Sequence, residues 1–232
     1  MSFITVTQSL LEGFGITCLL FILTLIFALP LGLVVSFCTM SRHAAIRKPF
    51  KVIVWIIRGI PLMLQLFIVY YLPGMLSPTG QNLFGKLDNI LYFNFGIEFG
   101  GSLIATLIAF VINYAAYFSE IFRGGIEAIP KGQYEAAQVL GMTKREIFFK
   151  VILMQVVKHI IPPMSNEIIT LVKDTALARV IGVIEIIKKA DLFASKALIW
   201  PLFYAGAFYL IFVGALTLLF GYIEKKLSYY KV

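Results

Sequence analysis

Cysteine, histidine and charge are all scarce in this chain: of 232 residues, two are Cys, two are His and 14% are charged. Cys18 and Cys38 stand at the two ends of one apolar run. A helical rise of about 1.5 Å per residue parts them by roughly 30 Å, far beyond the ~7 Å over which a disulfide closes, so they read as packing residues. His43 and His159 are too few and too isolated for a metal site. The amino-terminal segment has no Lys or Arg, and the apolar run behind Glu12 exceeds the roughly 7–15 residues of a signal-peptide core, so no cleaved leader is expected.

No nucleotide-binding or catalytic motif survives inspection either. Gly80–Leu87 reads GQNLFGKL and fits the spacing G-x-x-x-x-G-K, but Leu87 stands where a phosphate-binding loop needs a hydroxyl for magnesium. It also follows Tyr70–Pro73 and Pro78 rather than a buried strand. If ATP drives this protein, another chain binds it. With no nucleophile elbow, acid–base pair or metal-ligand spacing, the chain is not expected to be an enzyme.

What is abundant is apolar surface. Hydrophobic residues make up 60% and aromatic residues 15% of the chain, and mean hydropathy is +0.91, against about 45–50% apolar content in soluble domains. Lipid is the expected solvent. A spanning helix needs about 20 apolar residues, and five stretches qualify: Ile16–Met40, Val52–Leu72, Phe99–Phe122, Val151–Val172 and Ala197–Ile223. The reading is an all-α integral membrane protein, residues 1–232 forming one transmembrane domain with a long connection at 123–150.

The net charge of +8 is informative through its placement. Arg42, Arg47, Lys48 and Lys51 fill the first connection, and Arg123, Lys131, Lys144, Arg145, Lys150 and Lys158 crowd the third, whereas the second has only Lys86. The positive-inside rule makes the first and third connections cytoplasmic, with the amino terminus outside and the tail Glu224–Val232 inside. The fourth connection is unusual, since Lys173, Arg179, Lys188, Lys189 and Lys196 then face outward, offset in part by Asp174, Glu185 and Asp191. These cations serve the membrane topology, not nucleic acid.

Polar side chains at membrane depth usually face a bundle interior or a water-filled path. Arg58 and Gln65 share a face of the second span, with Pro61 between them. Asn113, Tyr117 and Glu120 follow i, i+4, i+7 in the third. In the fourth, Asn166, Thr170 and Lys173 form one stripe, with Glu167 and Asp174 on its flank. Asn113 and Glu167 lie about 13–15 Å into a ~30 Å core, the depth at which transporters hold their substrates. Arg58 and Glu120 read as a structural ion pair between helices, with Arg58 also able to reach the headgroups. Pro162 and Pro163 are expected to break the fourth span, with Gly182 beyond it, and irregular backbone at that depth is tolerated where it lines a cavity.

The third connection contains a short helical segment after Pro130, GQYEAAQVLG, with Gly141 as its C-cap. Its small residues suit close docking of a partner. Here the chain resembles the permease subunits of ATP-binding-cassette importers, whose cytoplasmic EAA loop has Glu-Ala-Ala and then Gly; Glu135, Ala136, Ala137 and Gly141 match. The likeness narrows to the polar amino-acid branch through RGIPLMLQLF at Arg58–Phe67, AYFSEIFRGGIEAIPKGQYEAAQVLG at Ala116–Gly141 and NEIITLVKDTALARVIGV at Asn166–Val183. Two departures are Leu153-Met154 in place of Leu-Pro and Thr175-Ala176 in place of Thr-Ser, which place local differences in span four.

The resemblance implies a type I importer fold in the bacterial cytoplasmic membrane, with two permease subunits (identical or paralogous), a dimer of ATPase subunits holding ATP and magnesium, an external solute-binding protein and a polar amino acid as cargo. Lys131, Gly132, Glu135, Ala136, Ala137 and Gly141 would then couple to the ATPase. An amino acid carries one charge of each sign. Glu167 and Asp174 are candidates for its ammonium, Gln65, Asn113 and Lys173 for its carboxylate, and Tyr117 for a wall, with Asn166 and Thr170 on the same path. The competing reading is a secondary transporter or channel with no ATPase, which has no reason to carry an EAA-like loop.

Overall fold

Helix α1 (Phe3–Thr39) starts well before the expected Ile16 and runs 37 residues, about 55 Å at 1.5 Å per residue, against ~30 Å of hydrocarbon. Packing explains the extension: Val6 and Leu10 are fully buried against Ile186, Ala190, Phe193 and Ala205 of later helices. The computed structural model describes residues 2–76, 83–86 and 100–227, all-helical with no strand among them. Gly80–Asn82 and Leu87 of the GQNLFGKL segment lie outside the described residues.

The second expected span is not one helix. Helices α2 (Ala44–Gly59) and α3 (Leu62–Leu76) meet at a bend of 106°. Pro61 has no N–H to continue the ladder and drives the residue before it out of the helical region; Ile60 is extended at φ −100°, ψ 132°. Among the described residues, four helical segments are long and apolar enough to cross a membrane, or five if the bent pair counts as one.

Helix α4 (Gly101–Glu127) is the central column, burying Phe110, Tyr114 and Phe118 completely or nearly so. It crosses α1 closely at Gly32, where an added Cβ would stand 2.9 Å from Phe118 Cβ and 3.0 Å from the Ala115 carbonyl oxygen. A larger residue there would push the two helices apart.

Helix α5 (Lys131–Val139) follows Pro130 and ends at Gly141, whose φ of 72° is open to glycine. Gly141 N–H donates to the Gln138 carbonyl at 2.9 Å and Met142 N–H to that of Ala137 at 3.2 Å, the paired bonds of a Schellman cap. Thr143 then caps the single turn Lys144–Glu146, exchanging hydrogen bonds with Glu146 in a capping box.

A π-helical segment, Ile147–Ile152, leads into α6 (Leu153–Asp174). Ile147 and Ile152 are both buried in the cluster that holds Ala137 of α5. Five residues close to one turn in the wider π coil, so both reach the same face. The expected break at Pro162 and Pro163 does not occur, because α6 continues through both and their rings lie on an exposed face. The irregular backbone comes after Asp174 instead, as a 3-10 stretch Thr175–Ile181 that Gly182 reverses at φ 91°.

Glu185 caps α7 (Ile186–Ala194), its carboxylate accepting from Ile187 N–H at 2.8 Å and Lys188 N–H at 2.7 Å. Burial pushes this carboxyl above the usual range, against the pull of those two donors. Pairing resolves much of the charge crowded into the fourth connection: Arg179 bonds Asp191 at 2.8 Å and Lys189 bonds Glu12 of α1 at 3.0 Å. α8 (Trp200–Leu227) closes the described chain.

The turn after α7 closes with the same bond pair as the turn after α5, Ala197 N–H to Ala194 and Leu198 N–H to Phe193, but Ala197 holds φ 61°. An L side chain in that region costs about 1–2 kcal/mol, and glycine gives back part of the gain through its freer unfolded chain. Ala197→Gly is therefore expected to stabilise the protein by about 0.5–1 kcal/mol, seen as a higher thermal-unfolding midpoint in detergent.

Candidate functional site

The corner between α2 and α3 is fixed from behind. Gln65 Nε2 donates to the carbonyl oxygens of Ile57 at 2.8 Å and Ile60 at 2.9 Å, and to Asn113 Oδ1 of α4 at 3.1 Å. One side chain thus satisfies the carbonyls released at the end of α2 and ties the corner to the central column. Ahead of the corner, α3 begins with amides that no preceding turn can accept, a partial positive charge aimed outward from its first turn.

A cavity of about 450 Å³ opens in front of this corner. Arg58, Gly59, Ile60, Pro61 and Leu62 form one wall, Asn113, Tyr114 and Tyr117 of α4 a second, and Glu167, Thr170 and Asp174 of α6 a third. Tyr114 OH donates to Asp174 Oδ2 at 2.7 Å, fixing that carboxylate. The Arg58 guanidinium lies 5.1 Å from the centre of the Tyr117 ring, within cation–π range. The chamber therefore presents two carboxylates on one side and a guanidinium with a helix amino terminus on the other.

Of the residues expected from the sequence, Asn113, Tyr117, Glu167, Thr170 and Asp174 line this cavity. Gln65 lies behind the corner. Asn166 and Lys173 are exposed on another face of α6, so the stripe that faces the cavity is Glu167–Thr170–Asp174, one residue round from Asn166–Thr170–Lys173. Glu120 lies 3.9 Å from Arg58, as the expected pair requires, yet its short bond is to Arg123 at 2.6 Å, and Arg123 also holds Glu127. Tyr114 and the corner backbone were not anticipated. The available signal was Pro61 beside Gly59, which marks an open backbone, together with a second tyrosine three residues before Tyr117.

A second candidate surface is α5. Lys131, Gly132, Glu135 and Ala136 are exposed, whereas Ala137 is buried, so the two alanines of the motif face opposite ways. Val139 and Leu140 stand 88% and 79% exposed at the tip, an uncovered apolar end suited to a docking partner. On the inner side, Gln155 Nε2 of α6 donates to Gln133 Oε1 at 2.6 Å. Gln155→Leu is expected to loosen α5 by about 1 kcal/mol, read as roughly fivefold faster amide exchange across residues 131–139; unchanged exchange would show that apolar packing alone holds the helix.

Residues 28–229 match the family described as binding-protein-dependent transport system inner membrane component, and the chain belongs to that family. It is a non-catalytic membrane subunit of an ATP-binding-cassette transport system, with ATP hydrolysis in a partner. Among curated relatives, the L-cystine transport system permease protein TcyB of Bacillus subtilis is 38% identical over 221 residues, covering 94% of this chain and 86% of the relative. The arginine transport system permease protein ArtQ of the same species is 36% identical, covering 94% and 92%. A solved amino acid ABC transporter crystallised with histidines has a chain 29% identical, with a TM-score of 0.77 and 96% of both chains covered. The methionine transporter MetNI, at 17% identity and TM-score 0.64, shares the fold.

Proposed function

We propose that this chain, as one permease domain, carries a polar amino acid into the cell through the cavity at the α2–α3 corner, driven by a dimer of ATPase subunits docked on α5. The observation that carries the reading is the polarity of the chamber: Glu167 and Asp174 on one wall, Arg58 and the start of α3 on another. A dipolar amino acid meets a carboxylate with its ammonium and a helix amino terminus with its carboxylate. The relatives named for cystine and arginine are consistent with such a cargo.

In this scheme a second permease copy or paralogue completes the membrane unit, ATP and magnesium belong to the ATPase subunits, and an external solute-binding protein delivers the cargo. The cations of α2 and of the α5 connection mark the cytoplasmic end, leaving the amino terminus outside and the carboxyl terminus inside. Closure of the ATPase would pull on α5. Its movement reaches the chamber through Gln133 and Gln155 and then along α6, which carries Glu167 about 18 Å further on.

The deciding experiment isolates the complex from native membranes through a tag on this chain, returns it to lipid and measures ATP hydrolysis with each amino acid and its binding protein. Stimulation by one amino acid supports the reading and names the cargo. Absence of any co-purifying ATPase removes it and favours a transporter or channel that works without ATP.

A further inference from the structure

A second polar space adjoins the chamber, a cleft of about 250 Å³ walled by Lys51, Val54, Trp55 and Arg58 of α2 and by Glu120 and Arg123 of α4. Glu120 and Arg123 follow Tyr117 along α4 toward its α5 end, so the cleft lies on the cation-rich side of the chamber. Lys51, Trp55 and Arg58 recur at i, i+4, i+7 and share one face of α2. Trp55 is 75% exposed and Lys51 is exposed as well. Among the described residues, Arg58 alone lines both spaces.

The two spaces carry opposite charge. In the chamber, the carboxylates Glu167 and Asp174 stand against the single guanidinium of Arg58, which leaves the walls negative. In the cleft, Arg123 holds Glu120 through two bonds, at 2.6 and 3.2 Å, and reaches on to Glu127 at 2.6 Å. Arg58 lies 3.9 Å from Glu120, near the outer limit of an ion pair, and among the described residues Lys51 has no carboxylate within ion-pair range. Three cations thus meet two carboxylates, and the cleft is positive. A network built for stability alone would close its charges, as Arg123 does. Lys51 and Arg58 instead leave positive charge beside an open space, and the Arg58 head is tethered only by that long contact and by the Tyr117 ring at 5.1 Å.

We propose that this cleft is the exit subsite for the cargo: the amino acid leaves the chamber carboxylate first, passed from Arg58 to Lys51, and its ammonium parts last from Glu167 and Asp174. The assignment rests on the amino-acid reading of the chamber. Arg58 and Lys51 stand two turns apart on α2, about 10 Å, a distance that one swing of the two long side chains spans. A carboxylate leading the way moves from negative walls toward positive ones, whereas a leading ammonium would run against the same field.

Trp55→Cys, combined with Cys18→Ser and Cys38→Ser, puts the only thiol of this chain on the cleft wall. The complex, in nanodiscs of phosphatidylcholine that hold no anionic lipid, is treated with a sulfonate-bearing or a trimethylammonium-bearing methanethiosulfonate. Labelling of this chain is followed by mass, and each rate is divided by that with free mercaptoethanol. The sulfonate is expected to be favoured roughly fivefold, the order that one unit charge gives near contact in water, and Lys51→Gln to remove most of that preference. In vesicles, Lys51→Gln is expected to lower the maximal uptake of whichever amino acid the native complex carries by roughly fivefold, with half-saturation moved by less than about twofold. Lys51→Arg should restore it. Equal labelling by the two reagents overturns the anion-attracting cleft. Native maximal uptake in Lys51→Gln, or a change in half-saturation alone, overturns the exit role and leaves the importer reading standing. A native complex that carries no amino acid removes that reading and the exit subsite with it.

Discussion

Uptake by a complex carrying Asp174→Asn is expected to fall by about 100-fold. Asp174 is held by Tyr114 OH at 2.7 Å and faces the corner cavity. Removing one partner of a desolvated charge pair costs about 2–5 kcal/mol, or roughly 30- to several-thousand-fold, because the substrate ammonium is left unmatched in a partly buried chamber. Glu167→Gln is expected to act in the same direction, and Thr170→Val to matter far less. The measurement is labelled amino-acid uptake into vesicles, alongside pull-down of the ATPase. Pull-down should be unchanged in all three. Loss of assembly would make these residues structural, and normal uptake in Asp174→Asn would move the substrate site elsewhere.

Gly141→Asp is expected to abolish coupling while leaving the chain in the membrane at its normal level. At φ 72° a side chain is strained by about 1 kcal/mol or more, and a carboxylate beside the carbonyl end of α5 meets the negative pole of the helix. Both effects disturb the cap that presents Val139 and Leu140. Substrate-stimulated ATP hydrolysis should drop at least tenfold, a change of about 1.4 kcal/mol in transmission. Gly141→Ala, which adds strain without charge, should fall between. Full stimulation in the aspartate variant would remove α5 from the coupling path.

Much of this was legible in the residues, and the failures have physical causes. Helical spacing placed Asn113 and Tyr117 together correctly, because both sit on a column whose other faces are filled by Phe110 and Phe118. The same rule put Thr170 on the right stripe of α6 but joined it to Asn166 and Lys173, since spacing fixes a face only to within one residue's rotation of about 100°. Packing decides which neighbour turns inward, and Lys173 is the side chain that solvent retains. Pro61 gave a larger effect than expected and Pro162–Pro163 a smaller one. Pro61 sits where Gln65 captures the freed carbonyls in a bent form, whereas the paired prolines lie on an outer face that their rings do not disrupt. The early start of α1 was hidden because its polar first turns are stabilised by Ile186 and Ala205, far away in sequence.

The bend at Ile60–Pro61 bears on how the chain is made. The translocation machinery releases a segment sideways into lipid when about 20 residues are apolar enough together. Arg58 at mid-segment opposes this by about 2.5–3.5 kcal/mol, roughly the contribution of six leucines. α1 and α8 carry uninterrupted apolar runs with mean hydropathy of 2.8 and 2.1 and need no assistance. The stretch Ala44–Leu76 enters less readily than these, and its Gln65 bond to Asn113 can close only once α4, later in the chain, has joined it. The chamber is thus built around a segment that enters the membrane less readily than α1 or α8, and its walls are complete only when the later helices α4 and α6 stand beside it.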